Sequence, residues 1–335
     1  MVTSQSLSIQ RFVARLPVAG IAIMLLASPV GLADEGGVPF WFSGQYASLS
    51  AVPPNPGWTV TLLPYYYDGS AVASRTIAGT RTFVVGLDTH VGLMIAQLSY
   101  APETKILGGR ASIGLAWGAG DNGTTVNLSA SLPQFFGQRT LSDSVSGGSD
   151  LFPVATLSWN KGSNNWMTYV TGDIPRGAYN SQRLSNLGIG HGAIDGGGGY
   201  TYLNEKSGFE YTVVAGVTVN WQNPDTDYTN GVDLHLDWAV SQFLSESWEA
   251  GLVGYVYQQL SNDSYSTSGL SGDIRQRVLG GFKSRVAAVG PEVGYVFKMG
   301  KQTGYLNLRG YREFSAENRI EGYALFATIS LPLGQ

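Results

Sequence analysis

The chain has 335 residues, of which 13% are charged and 12% aromatic, with 45 glycines, no cysteine and a formal net charge of −4. The absence of cysteine excludes disulfides and thiolate metal sites, and the acidic balance speaks against nucleic acid as a partner. So glycine-rich a pool, poor in Lys and Glu, argues against strong amphipathic helices, and no proline-rich linker divides the chain into two domains.

Residues 1–33 read as an export signal: Arg11 and Arg15 form a basic start, Leu16 to Val30 is an apolar run, and Gly31-Leu32-Ala33 supplies small residues before Asp34. The run is too short for a spanning helix, which needs ~20 apolar residues. Without this segment the balance is 18 basic against 24 acidic residues, a net of −6. No later apolar run approaches membrane-helix length, so the exported chain is either a secreted soluble protein or a barrel.

The next segment, 34–57, holds the aromatic knot Phe40-Trp41-Phe42 and the prolines Pro53, Pro54 and Pro56. Prolines this dense do not belong to a ladder strand. The segment is either a lumen plug built on Phe40, Trp41 and Phe42 or a tail on the periplasmic rim.

From residue 58 onward, length and alternation predict about 12 strands. They lie near 58–68, 87–100, 109–129, 150–160, 164–174, 197–204, 208–221, 231–243, 247–260, 284–298, 302–314 and 319–332. The clearest runs from Phe209 to Trp221: Phe209, Tyr211, Val213, Ala215, Val217, Val219 and Trp221 alternate with Glu210, Thr212, Val214, Gly216, Thr218 and Asn220. A soluble strand averages about 5 or 6 residues, and this one keeps its period for about twice that, enough to cross a bilayer at a tilt. The intervals between strands alternate in length. Those near 68–82, 130–149, 175–196, 222–230 and 261–283 are long and polar, while those near 160–163, 204–207, 244–246 and 299–301 are short. Intervals 101–108 and 315–318 fit the alternation least well.

The expected fold is therefore all-β: a transmembrane antiparallel β-barrel over 58–335 with short periplasmic turns, long extracellular loops and an N-terminal plug over 34–57. Parity assigns Glu210, Asp233, His235, Asp237, Asn307, Arg309 and Glu313 to the lumen. Strands 87–100 and 247–260 alternate poorly, which either bulges or a partly apolar lumen would produce.

Several blocks carry a family resemblance: Glu35-Gly36-Gly37 with Phe40-Trp41 and Gly44-Gln45-Tyr46, Ala51-Val52-Pro53 to Gly57-Trp58, Met167 to Pro175, Leu187 to Asp195, Asn223 to Thr226, and Asp233 to Trp238. In these the chain resembles the meta-pathway phenol degradation family of outer-membrane proteins, also called SphA-like transporters. The resemblance implies an outer-membrane channel for small hydrophobic or aromatic solutes, in contact with outer-membrane lipid and dependent on the barrel assembly machinery. Many barrels end in an aromatic residue, whereas this chain ends Leu331-Pro332-Leu333-Gly334-Gln335.

Two alternatives stay open, a filled structural barrel and an outer-membrane hydrolase. The second draws on Asp233-x-His235-x-Asp237, where an imidazole between two carboxylates could act as a general base. No serine at a recognised spacing accompanies it, so no catalytic residue is expected. His191, in Gly188-x-Gly190-His191-Gly192, lacks the following helix of a dinucleotide site and reads as part of a loop folded over the pore. Asp225 to Gly231 misses the spacing of a calcium loop, and neither a metal nor a cofactor is expected.

Overall fold

The structure is a computed structural model and describes residues 37–77, 81–132, 135–266, 283–300 and 302–333. The export signal, residues 34–36 of the N-terminal segment, most of the 261–283 interval and the last two residues lie outside them. Fourteen strands follow one another: β1 (Gly57–Ile77), β2 (Arg81–Ala101), β3 (Arg110–Leu132), β4 (Phe135–Lys161), β5 (Asn164–Asp173), β6 (Ala193–Asn204), β7 (Phe209–Asn220), β8 (Tyr228–Thr229), β9 (Asp233–Phe243), β10 (Trp248–Gln259), β11 (Ser264–Tyr265), β12 (Arg285–Met299), β13 (Gln302–Glu317) and β14 (Glu321–Leu333). Twelve close an antiparallel barrel in the order β1-β14-β13-β12-β10-β9-β7-β6-β5-β4-β3-β2, and the short β8 and β11 pair apart from it. Closure leaves no open edge in the hydrocarbon, which is the condition for a sheet to cross a membrane.

Each of the twelve expected strands has its counterpart, and the side-chain period sets the two faces. In β7, Glu210, Thr212, Val214 and Thr218 are buried while Phe209, Tyr211, Val217 and Val219 are exposed to the outside. Trp58, Tyr100, Trp166, Tyr200, Tyr211, Trp248 and Tyr295 gather at the end with the short turns, several in ring contact across strands. Their amphipathic rings suit the headgroup level. One short turn shows how the register is held: Asn204 Oδ1 accepts the Lys206 and Ser207 N–H groups at 3.0 and 3.2 Å, and Gly208 takes φ +72°. That left-handed conformation costs glycine nothing.

The expected loops 68–82 and 130–149 are not loops. β1 and β2 stay paired from Gly57↔Ala101 to Ile77↔Arg81, and β3 and β4 from Arg110↔Ser158 to Leu132↔Phe135. Their inner faces carry mostly small or isolated apolar residues, Ala71, Ala73, Ala130 and Val145, set among polar and glycine neighbours, so no strong hydrophobic alternation marks them. Backbone pairing alone makes the strand. Neither β2 nor β10 carries a bulge in its ladders. Their poor alternation comes instead from an apolar interior: Val85, Leu87, Val91, Leu93 and Ile95 of β2, and Val253 of β10, point inward and are buried.

Candidate functional site: the occupied lumen

Residues 37–56 sit among the inward-facing side chains and are held by hydrogen bonds from several walls. Asp237 on β9 accepts the Gly44 N–H at 2.9 Å and the Tyr46 N–H at 3.1 Å. Across the lumen, Arg309 on β13 donates to the carbonyls of Gly44 (3.0 Å) and Gln45 (2.8 Å), and the Tyr311 hydroxyl also donates to Gly44 O. Gly44 has φ +85°, and a Cβ there would lie 2.8 Å from the Tyr311 ring and 2.9 Å from Tyr255, so only glycine fits. Further along, Ser48 Oγ bridges Glu292 (2.6 Å) and Glu210 (3.0 Å), and Leu49 N–H donates to Glu210 at 3.1 Å. Buried carboxylates are tolerable here because each of these accepts such bonds.

The aromatic knot fills the centre. Phe40, Trp41 and Phe42 are all buried. Phe42 meets Tyr65 edge-on, with centroids 5.1 Å apart, and Phe40 packs near Phe152 and Ile189. Trp41 stacks on His235, with centroids 3.5 Å apart and planes at 19°, and leans on Tyr169. Burial, then the charges of Asp237 and Asp195, push the Tyr46 phenol above its usual pKa, so it stays neutral.

Two cavities flank this segment. One of about 390 Å³ lies toward the short turns, between residues 40–50 and the inner faces of β1–β5, β13 and β14, with Thr61, Gln97 and Ser330 on its rim. The other, about 100 Å³, lies toward the long loops beside Tyr67, Leu87, Glu313 and Arg319.

The sequence profile of the family described as "Putative MetA-pathway of phenol degradation" matches residues 73–329. The chain belongs to that family. Among solved structures it is similar to the COG4313 outer membrane channel from Pseudomonas putida F1, with 12% identity over 85% of this chain and 98% of that one and a TM-score of 0.65. A looser match is the β domain of the Bordetella autotransporter BrkA, with 11% identity over 82% and 99% of the two chains and a TM-score of 0.41. No curated protein sequence matches significantly. A closed twelve-strand barrel with an apolar outer face and turn-end aromatics is built for the bacterial outer membrane.

Within this family member the side chains singled out by parity divide into groups. Glu210, Asp237 and Arg309 grip residues 44–49 directly, and Asn307 links Arg309 to Glu292 at 3.0 and 2.9 Å. Glu313 accepts from Tyr67 (2.7 Å), Tyr255 (2.8 Å) and the Gly322 N–H (2.8 Å), while Asp233 accepts from Tyr257 (2.7 Å) and Asn220 (3.3 Å).

His235 requires a correction. Its bonded partner is neither Asp233 nor Asp237 but Asp195 of β6, whose Oδ2 lies 2.7 Å from Nε2 and also accepts from Thr218 at 2.7 Å. Residues two apart on one strand face share a direction but stand nearly 7 Å apart, whereas neighbouring strands bring side chains together. Among the described residues no serine or threonine hydroxyl bonds the imidazole, and no group of three His, Asp or Glu side chains is arranged for a metal.

His191 is buried, its Nδ1 3.1 Å from the Gly192 carbonyl, and it lines neither cavity. Its loop does fold inward: Asp150 accepts the N–H groups of Arg176, Gly177 and Ile189 at 2.6–2.9 Å, and Leu187 and Ile189 are buried. The residues missed from sequence are Asp195, Glu292, Glu249, Tyr169 and Asp150. The first four share a signal, a polar group at inward parity, and Asp195 falls just before the point where its strand was taken to begin.

Proposed function

We propose that the protein is an outer-membrane channel for small hydrophobic or aromatic solutes, with residues 37–56 acting as a plug that must shift for passage. The observation that carries this reading is the cavity of about 390 Å³, bounded by Phe40, Trp41, Phe42, Leu63, Ile95 and Phe152 and by a few polar groups such as Gln97 and Arg309. Apolar walls with a few placed polar groups suit ligands of one or two rings. The family's description, phenol degradation, supports the same solute class. We read the lumen side chains as plug holders and selectivity groups, the protein as non-enzymatic, and its insertion as a task of the barrel assembly machinery.

The test is uptake by proteoliposomes. Toluene or phenol should equilibrate faster into vesicles carrying the protein, and deletion of residues 37–50 should raise single-channel conductance. Uptake no faster than in empty vesicles, for the intact and the deleted protein alike, would leave the filled structural barrel as the better reading.

A further inference from the structure

The place that Trp41 occupies is built for a ring. Its walls come from three separated stretches, Tyr169 of β5, His235 of β9 and Tyr46, with ring centroids 5.9, 3.5 and 5.7 Å from the indole. Room for them exists because Gly197 and Gly216, paired across β6 and β7, carry no side chain. A Cβ on Gly216 would lie 2.1 Å from the Tyr169 hydroxyl and 2.7 Å from the His235 ring, and one on Gly197 would lie 2.7 Å from the same hydroxyl. The imidazole is fixed in its plane by Asp195, itself anchored by Thr218. Tyr169 and His235, both on barrel strands, form a stacking surface that stands whether or not residues 37–56 are in place.

The indole fits that surface incompletely. Trp41 is 6% exposed, yet its Nε1–H has no hydrogen-bond partner. A buried donor left unpaired costs about 1–3 kcal/mol. The stacking area stabilises Trp41 in the slot and its N–H works against it, so a ring without that donor gains the same contacts at lower cost. The charges select further. Asp195 and Asp237 both act on the neighbouring Tyr46, and Arg309 is already committed to the Gly44 and Gln45 carbonyls. An aromatic acid would bring a like charge into this field, whereas a neutral arene would not.

We infer that the slot between Tyr169 and His235 is a binding site for neutral aromatic solutes, and that a solute entering it displaces Trp41 and loosens residues 37–56. This rests on the channel reading: the plug closes the lumen with one of its own side chains standing where the cargo binds, so cargo and closure compete. The coupling is direct, because Trp41 lies three residues from Gly44, where Asp237 and Arg309 hold the backbone.

The chain has no cysteine, so Ala47→Cys, at a buried plug position, gives a single reporter for maleimide labelling of the full-length protein in lipid vesicles. With toluene at about ten times its Kd, the displaced population and hence the labelling rate should rise roughly tenfold. Methylcyclohexane, which has the area but no π face, and benzoate, which has the charge, should leave the rate unchanged. Tyr169→Leu should abolish the toluene response in a barrel whose folding is verified by heat-modifiable migration. An unchanged rate with toluene, an equal rise with methylcyclohexane or benzoate, or a response surviving Tyr169→Leu would overturn the inference. Toluene uptake measured on the same vesicles separates the two ideas: uptake without a labelling response sinks the slot and leaves the channel, while absence of uptake sinks the channel.

Discussion

The lumen has two unlike halves. On the side of β7, β9, β12 and β13, Glu210, Asp237, Glu292 and Arg309 hold residues 44–49 through directed hydrogen bonds. On the side of β1 to β3, Leu63, Val91, Leu93, Ile95 and Ala116 meet Val38, Phe42 and Ala47 through apolar contact, and there the larger cavity opens. A hydrogen bond is lost within a few tenths of an ångström, whereas apolar burial is non-directional and tolerates sliding. The polar half therefore fixes where the N-terminal segment sits, and in the proposed channel the apolar half is the surface along which a solute passes it.

If that division is real, variants on the two halves should differ in kind. The largest effect is expected for Leu93→Ala on the apolar half, a loss of about 2–5 kcal/mol in barrel stability by denaturant unfolding in vesicles. Labelling at Ala47→Cys should stay near the parental rate; an increase matching that of a polar-half variant would erase the comparison.

Next is the outer wall, where Leu236→Arg should cost ~2–4 kcal/mol on the lipid face and depress folding yield. Equal yields for Leu236→Arg and Asp237→Asn would mean that the two faces of β9 have been exchanged.

Asp237→Asn should leave folding yield intact but weaken the bonds to Gly44 and Tyr46 by ~1.5–3 kcal/mol, the range for hydrogen bonds to a charged group. Faster labelling of Ala47→Cys and higher conductance are the readouts. The smallest effect is expected for Tyr67→Phe: Glu313 keeps its bonds from Tyr255 and Gly322, so the cost should be about 0.5–1.5 kcal/mol with conductance unchanged. A conductance rise as large as that of Asp237→Asn would show that the grip is not confined to residues 44–49.

How much of this was legible in the sequence varied with depth in the membrane. β7 and β9 announce themselves because lipid on one face and a polar lumen on the other force alternation. The outer parts of β1 and β4 carry no such contrast and read as loops. β2 blurred for a third reason: Val91, Leu93 and Ile95 face a lumen that is apolar because Val38 and Phe42 stand in it, and Leu87 packs with Val85 beside Ala71 and Leu128.

The sequence by itself determined the count of barrel strands, the inside and outside of each clear strand and part of the polar lumen set, Glu210, Asp237, Asn307, Arg309 and Glu313 among them, since these follow from a period of two along a local stretch. Only the tertiary structure decided the partnerships. Asp195 reaches His235, Asp237 reaches Gly44, and Arg309 reaches Gln45 over sequence separations of 40, 193 and 264 residues. Parity states which way a side chain points but not which strand or segment it meets. Barrel closure and the course of residues 37–56 through the lumen set those distances.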